Sequence, residues 1–588
     1  MISTVTKTMY INPPANKDGV FIDDALFYVI ANEDGTRKLG IKKRPKYKYY
    51  KAKKNMGYHR MHVNLEDLEP IECEYRSRYS NMAAQVMLRD EYKSINRQDK
   101  RDWVQANILN NPNIYLADMD VEDTFKMNYS RKFGDNSGDI VYKTSFTDIE
   151  VRADKDDFEQ HKALVPICSI CHLDANTETI YVNVLDDPEV PMIREVFSDL
   201  GSFLIEFEDV LAEVRRIAIE KIVKDKGKPE SIHHYKFKYK FYLLNTEADL
   251  IRNYFSIIQE TRPDFVGIWN INFDMITIKE RAAKLGLNMA DLTSDKSVPP
   301  EYRIFKYIED HERFNNSEGK KSATHYSRYF DKVITTSVTQ YYCQMSMHSN
   351  LRKRFLEENY KLETIGEKYA YIKKFDLAAE GLHIKDVYVK NFKKFLIYAI
   401  IDPIVSFQIE YMNQDIPRYM ITCKDTRFTH GFKKTIVIKN EFYNYIFDTK
   451  HAIIGNNKTY DIWEPTPGAI IASPSKIERK GINLLGVFTH IYRLLSDLDI
   501  NSEYPSLMIS FQILKTTIFG RIYDIRIDQK INDMNISIPI SDGGEFNRML
   551  ENIDTSIFDI GTKYFGLPTM DTIIADIERR CLISSKAG

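Results

Sequence analysis

Residues 145–151 read Ser-Phe-Thr-Asp148-Ile-Glu150-Val. Residues two apart on a strand point to the same face, so this segment offers two carboxylates to one metal pair. Any exposed strand can alternate acids with apolar residues, so the reading depends on what surrounds it. The stretches YKTSFTDIEV, ICSICHL and ETIYVNVL read as strands, and a basic aromatic strand, HHYKFKYKFYLL, comes after them. Then the period changes. Asn245-Thr246-Glu247 precedes DLIRNYFSIIQ, whose apolar residues recur at helical spacing, so a capped helix leads into the strand FVGIWN. An α/β domain is expected over residues 141–410.

Two more segments bring polar groups to the same region. The strand FVGIW ends in Asn270-Ile-Asn272-Phe273-Asp274, an amide and an acid where the chain enters a helix; a plain N-cap is the alternative. In YAIIDPIVSF, Tyr398 and Asp402 stand four apart, on one face of a helix. In this order and at these distances, the three segments resemble the Exo I (DxE), Exo II (Nx2-3FD) and Exo III (YxxxD) motifs of DEDDy-type proofreading exonucleases. DFVGIWNINFD and YKLETIGEKY extend the likeness to family B DNA polymerases of the phage (T-even-like) type.

The resemblance implies a ribonuclease-H-like fold and a 3′→5′ exonuclease acting on single-stranded 3′ ends. Asp148, Glu150, Asp274 and Asp402 would hold two Mg²⁺ ions, with Mn²⁺ as a substitute, for phosphodiester hydrolysis to nucleoside monophosphates. Tyr398 would orient the attacking water, and Asn270 and Phe273 would hold or wedge the single strand.

Further on, Asp499-Ile-Asn-Ser502-Glu503-Tyr504-Pro-Ser resembles polymerase motif A, DxxSLYPS, with Glu503 in place of the usual leucine. By that resemblance Asp499 ligates both polymerase metals, residues 500–503, Ser502 among them, cradle the triphosphate, and Tyr504 blocks a ribose 2′ hydroxyl. Neither motif B (KxxxNSxYG) nor motif C (DTD) follows. Polymerisation would therefore need a second polypeptide that carries them. Cys581, before the last residues, suggests an intein-like junction only faintly, the tail being too short. The expected layout is a β-rich domain over 1–140, the exonuclease domain over 141–410, a return segment over 411–470 and a partial palm over 471–588. Pro465, Pro467, Gly468 and Pro474 mark the last junction.

Bulk properties set the frame. The chain has 588 residues, 43% of them hydrophobic, enough for three to five domains at roughly 100–200 residues each. With a net charge of -2, contacts to nucleic acid must come from local basic grooves. Six irregularly spaced cysteines make no disulfide framework and fit a reducing cytoplasm. Cys168-Ser-Ile-Cys171-His172 spells the CxxCH pattern of haem attachment, but its surroundings read as strands, and the cysteines as small strand residues. No run of about 20 apolar residues suggests a bilayer span.

Near the start, Glu33-Asp34-Gly35 reads as a hairpin turn. Next comes IKKRPKYKYYKAKK, with two open readings: lysines and tyrosines for phosphates and stacked bases, or a lysine-protected edge strand. The expected partners are primer-template and single-stranded DNA, the missing polymerase polypeptide, a sliding clamp and other replisome proteins, and no membrane. A non-catalytic nucleic-acid-binding scaffold and a free-standing nuclease with a polymerase remnant are the competing readings.

Overall fold

The computed structural model describes residues 2–456 apart from 16–18, 20, 57–61, 87–88, 97–98, 156–164, 227–232, 309–331, 353–356, 358 and 379. The described residues fall within one compact unit, residues 1–462. The proline-rich junction, Asp499, Ser502, Glu503, Tyr504 and Cys581 lie outside the described residues.

Three antiparallel strands open the chain, β1 (Ser3–Ile11), β2 (Ala25–Asn32) and β3 (Arg37–Lys43). The β2–β3 turn is the expected hairpin. Gly35 supplies its positive φ of 80°, and Asp34 accepts the Thr36 amide at 2.8 Å. A second small sheet places β4 (Lys46–Ala52) between β6 (Leu68–Glu74) and β7 (Ile114–Tyr115). Strand β5 (His62–Asn64) pairs instead with β16 (Ala452–Ile454), almost 400 residues later, so the chain after residue 411 comes back to the opening segment.

The main sheet has six strands in the order β11-β10-β9-β8-β12-β15. Its members are β8 (Thr144–Val151), β9 (Ile167–Asp174), β10 (Thr179–Leu185), β11 (Lys238–Leu244), β12 (Phe265–Ile268) and β15 (Gln340–Cys343). The short pair β13 (Phe305–Ile308) and β14 (Lys332–Thr335) lies apart. Strands β8, β9 and β10 form an antiparallel meander; β12 and β15 add in parallel beside β8, and β11 in parallel beside β10. Helices cover both faces, as expected for a ribonuclease-H-like domain.

Local chemistry explains the packing. Thr246 caps the helix Glu247–Thr261, its side chain accepting the Asp249 amide at 3.1 Å. That helix buries Leu250, Ile251, Tyr254 and Phe255 on the sheet face carrying Ile149 and Ile170. The helix Phe392–Asn413 buries Leu396, Ile400 and Ile404 on the opposite face, with Phe146, Cys171 and Val182. Gly267 of β12 sits between the two neighbouring strands where a Cβ would meet the Phe146 ring at 3.0 Å and the Tyr342 hydroxyl at 2.9 Å. The helix Phe392–Asn413 is long and apolar enough to cross a membrane by composition, which the sequence reading passed over, but 83% of its apolar window is buried inside the fold. Its apolarity belongs to the core.

Three further sequence readings change here. HHYKFKYKFYLL is a strand only from Lys238: Tyr235 takes a φ of 54°, and His233 and His234 accept the amides of Tyr235 and Lys236 on Nδ1, which bends the chain before the sheet begins. In β4, Tyr47, Tyr49 and Tyr50 are buried in the core, unable to stack on bases. Nor is β4 an edge, since β6 and β7 flank it. The reading of Cys168 and Cys171 as small strand residues holds: both are buried in β9 with free thiols.

Candidate active site

Strand β8 is central to the main sheet, and its alternation turns Ile149 to one face and Asp148 and Glu150 to the other. Next to them the ladder slips by one residue: Glu150 faces Ser169 but Val151 faces Ile167, leaving Cys168 as the extra residue of a bulge. The helix Phe392–Asn413 crosses this face and presents Asp402 and Tyr398 to it. Oxygens of Asp148, Glu150 and Asp402 all lie within 4.8 Å of one another. Pro403 follows Asp402 inside the helix and withholds the amide that would otherwise bond the carbonyl of Ala399.

Asp274 enters from the first turn of the helix Ile271–Lys284 and accepts the Ile149 amide at 3.3 Å. It reaches the same strand as Asp148 and Glu150 but lies outside the tightest group of three. Asn270 occupies the N-cap position without a side-chain cap bond, its carbonyl accepting the Phe273 amide at 2.9 Å. Phe273 is half-buried and packs against the core beneath the helix.

Four carboxylates in so small a volume raise one another's pKa. Burial first, and then the charges of Asp402, Asp274 and Glu150, push Asp148 well above the usual carboxylate range. Burial and Asp402 lift Glu150 to about 8. Burial lifts Asp274 to about 7, partly offset by the Ile149 amide. Asp402 is raised by burial as well, against the pull of Lys374. The negative charge of Asp402, with burial, raises the Tyr398 phenol.

Lys374 is the residue the sequence reading missed. Its ammonium bonds Asp402 and donates to the Tyr398 hydroxyl at 3.1 Å. Burial works against its charge, but Asp402, Tyr398 and Asp148 hold its pKa above the ordinary value. Lys374 and Tyr398 also line a cavity of about 290 Å³ walled by Phe375, Leu377, Leu382 and Ile384. One signal was present in the sequence, the Lys373-Lys374 pair between the segments resembling Exo II and Exo III, but only the fold shows which lysine turns inward.

The donor set fits hard divalent cations. All four side chains offer oxygen, and Asp402 Oδ1 is buried without a hydrogen-bond partner. Two other groups among the described residues have metal-like composition. In one, Arg427 bonds Asp120 at 2.7 Å, Glu122, and the His430 Nδ1 at 2.9 Å, so a cation is already built in beside Asp123. In the other, His233 and His234 use Nδ1 to accept backbone amides, which leaves Nε2 as the proton-bearing nitrogen facing Glu178. That group is a hydrogen-bonded clasp.

Residues 115–365 match the family model described as DNA polymerase family B, exonuclease domain. The match takes in Asp148, Glu150, Asn270, Phe273 and Asp274 and ends before Tyr398 and Asp402. It supports a 3′→5′ exonuclease function, makes this part of the chain a nuclease domain, and gives no support to a purely non-catalytic scaffold. A comparison with curated proteins finds no match.

Proposed function

We propose that this chain removes nucleotides from single-stranded DNA 3′ ends by two-metal phosphodiester hydrolysis, with Mg²⁺ as the natural ion. The observation that carries the proposal is the convergence of Asp148, Glu150 and Asp402 within 4.8 Å, with Asp274 reaching from its helix to the Ile149 amide between the first two, in a chain whose residues 115–365 match an exonuclease-domain family model. These four carboxylates would hold the ions. Divalent cations bound there would lower the pKa of the attacking water and offset charge building on the departing 3′ oxygen. Tyr398 orients that water through its hydroxyl, and Lys374 fixes the phenol and contributes positive charge where phosphate charge gathers. Asn270 and Phe273, at the start of the helix that carries Asp274, flank the path of the single strand.

The wider role proposed is proofreading within a family B replicative polymerase of phage type, in the host cytoplasm. Asp499, Ser502 and Tyr504 would supply one part of the polymerase site, and a second polypeptide with motifs B and C would supply the rest. The family match supports the family B and proofreading setting; the motif A resemblance alone supports the polymerase site and its second polypeptide. The test is a 5′-labelled single-stranded oligonucleotide incubated with Mg²⁺ and the purified chain, beside an Asp148→Ala/Glu150→Ala variant. A 3′-shortening ladder with the wild type alone is the expected result; no ladder, or the same ladder from both, overturns the exonuclease reading.

A further inference from the structure

The two basic, tyrosine-rich strands are built differently. On β4, Lys46 stands opposite Glu74, Lys48 opposite Glu72 and Lys51 opposite Glu69, so each lysine has an acid across the ladder. On β11, Lys238 stands opposite Thr179 and Lys240 opposite Tyr181. Both of these lysines are exposed, and among the described residues neither forms an ion pair. Lys236, just before the strand, is exposed as well. Acids close by are otherwise engaged or set apart: Glu178, whose carbonyl accepts the Lys238 amide at 2.8 Å, turns its carboxylate to His233 and His234, Asp174 is buried and bonded to Asn176 and Thr177, and Glu260 is exposed at the end of its helix. Among the described residues, β11 is also the outer strand of the main sheet, with a strand neighbour on one side only.

We infer that the β11 edge is a sequence-independent contact site for the phosphate backbone of a nucleic-acid strand. Lysines two apart on a strand stand about 6.6–6.8 Å apart on one face, so each can meet a separate phosphate of one backbone. Point-charge ammonium groups suit phosphate oxygens. The aromatic partner is not free to stack: Tyr181 is buried, with the Lys240 ammonium over its ring at 5.1 Å. The contact is therefore to phosphate and carries no base preference. Lys240 shares its row across the sheet with Thr147, while Asp148 shares its row with Cys171 and Phe241, so the lysines lie on the face opposite the carboxylates. They hold strand away from the end being cut.

Fluorescence anisotropy of a labelled 30-nucleotide single strand, with the full chain in EDTA across a salt series, tests this without any need for catalysis. For Lys238→Gln/Lys240→Gln the slope of log affinity against log salt should fall by about 1.4, roughly 0.7 for each phosphate that is no longer neutralised. Affinity at low salt should drop several-fold for mixed-sequence and homopolymer strands alike. Lys46→Gln/Lys48→Gln, whose lysines face glutamates, should leave the slope unchanged. An unaltered slope in the β11 variant overturns the inference, and concentration-dependent association of that variant would then assign the lysines to protection of the sheet edge.

Discussion

Among the described residues, two groups of acids each gather about a cation of the chain, and the fold treats them in opposite ways. Asp120, Glu122 and Asp123 gather around the guanidinium and backbone amide of Arg427, whose side chain is 14% exposed. Asp148, Glu150, Asp274 and Asp402 gather around one ammonium, that of Lys374, which touches Asp402 alone among them. The first group is closed by a cation in the chain itself. The second keeps a surplus of negative charge, and burial of that surplus is why its acids hold protons to abnormally high pH. Proximity of acids marks a structural clasp when the chain's own cation meets the group, and a candidate metal site when a surplus of negative charge is left over.

The largest expected effect separates the two groups by function. Asp148→Ala/Glu150→Ala should lower Mg²⁺-dependent 3′ cleavage on the order of 10⁴-fold, the scale of losing groups that act directly on the reaction. Its metal-free thermal stability should hold or rise, because repelling charges are removed. Arg427→Met should do the reverse. It leaves three acids without their cation and should cost about 3–5 kcal/mol in urea unfolding. Cleavage per folded molecule should stay near the wild-type value.

The pH dependence sharpens the contrast. Glu150 and Asp274 rise from ordinary values of 4.5 and 3.8 to about 8 and about 7 in the folded chain. Folding therefore favours their protonated forms. This contribution to metal-free stability is fully present below about pH 4 and is lost as pH rises through 7 and 8. Melting temperatures in EDTA should fall across that window, and Mg²⁺ should restore more stability at pH 8 than at pH 6. A flat profile would mean that the carboxylates are not crowded in solution. The smallest effect belongs to Lys374→Met, expected to lower metal-free stability by about 1–2 kcal/mol and to widen the thermal shift on adding Mg²⁺.

Much of the main sheet was legible because its strands are short apolar runs bounded by polar turns, buried along most of their length. Thr246 and the run that follows it give the helix Glu247–Thr261 directly. Asp148 and Glu150 were legible from a period of two, Tyr398 and Asp402 from a spacing of four. Long-range pairings were not. Lys374 reaches Asp402 only through tertiary packing, and the pairing of β16 with β5 spans almost 400 residues with no local signal. The lysines of β4 left a nucleic-acid surface and a protected edge strand equally open, because sequence alone does not reveal that glutamates face them across the ladder or that strands flank β4 on both sides.

Direct measurement of Mn²⁺ binding by isothermal titration calorimetry, at pH 8 and with a single-stranded oligonucleotide too short to be cut, tests the central claim most closely. The account predicts two Mn²⁺ sites in the wild type and in Asp120→Asn, and loss of both or severe weakening in Asp148→Asn. Unchanged binding in Asp148→Asn, or binding lost in Asp120→Asn, would contradict it.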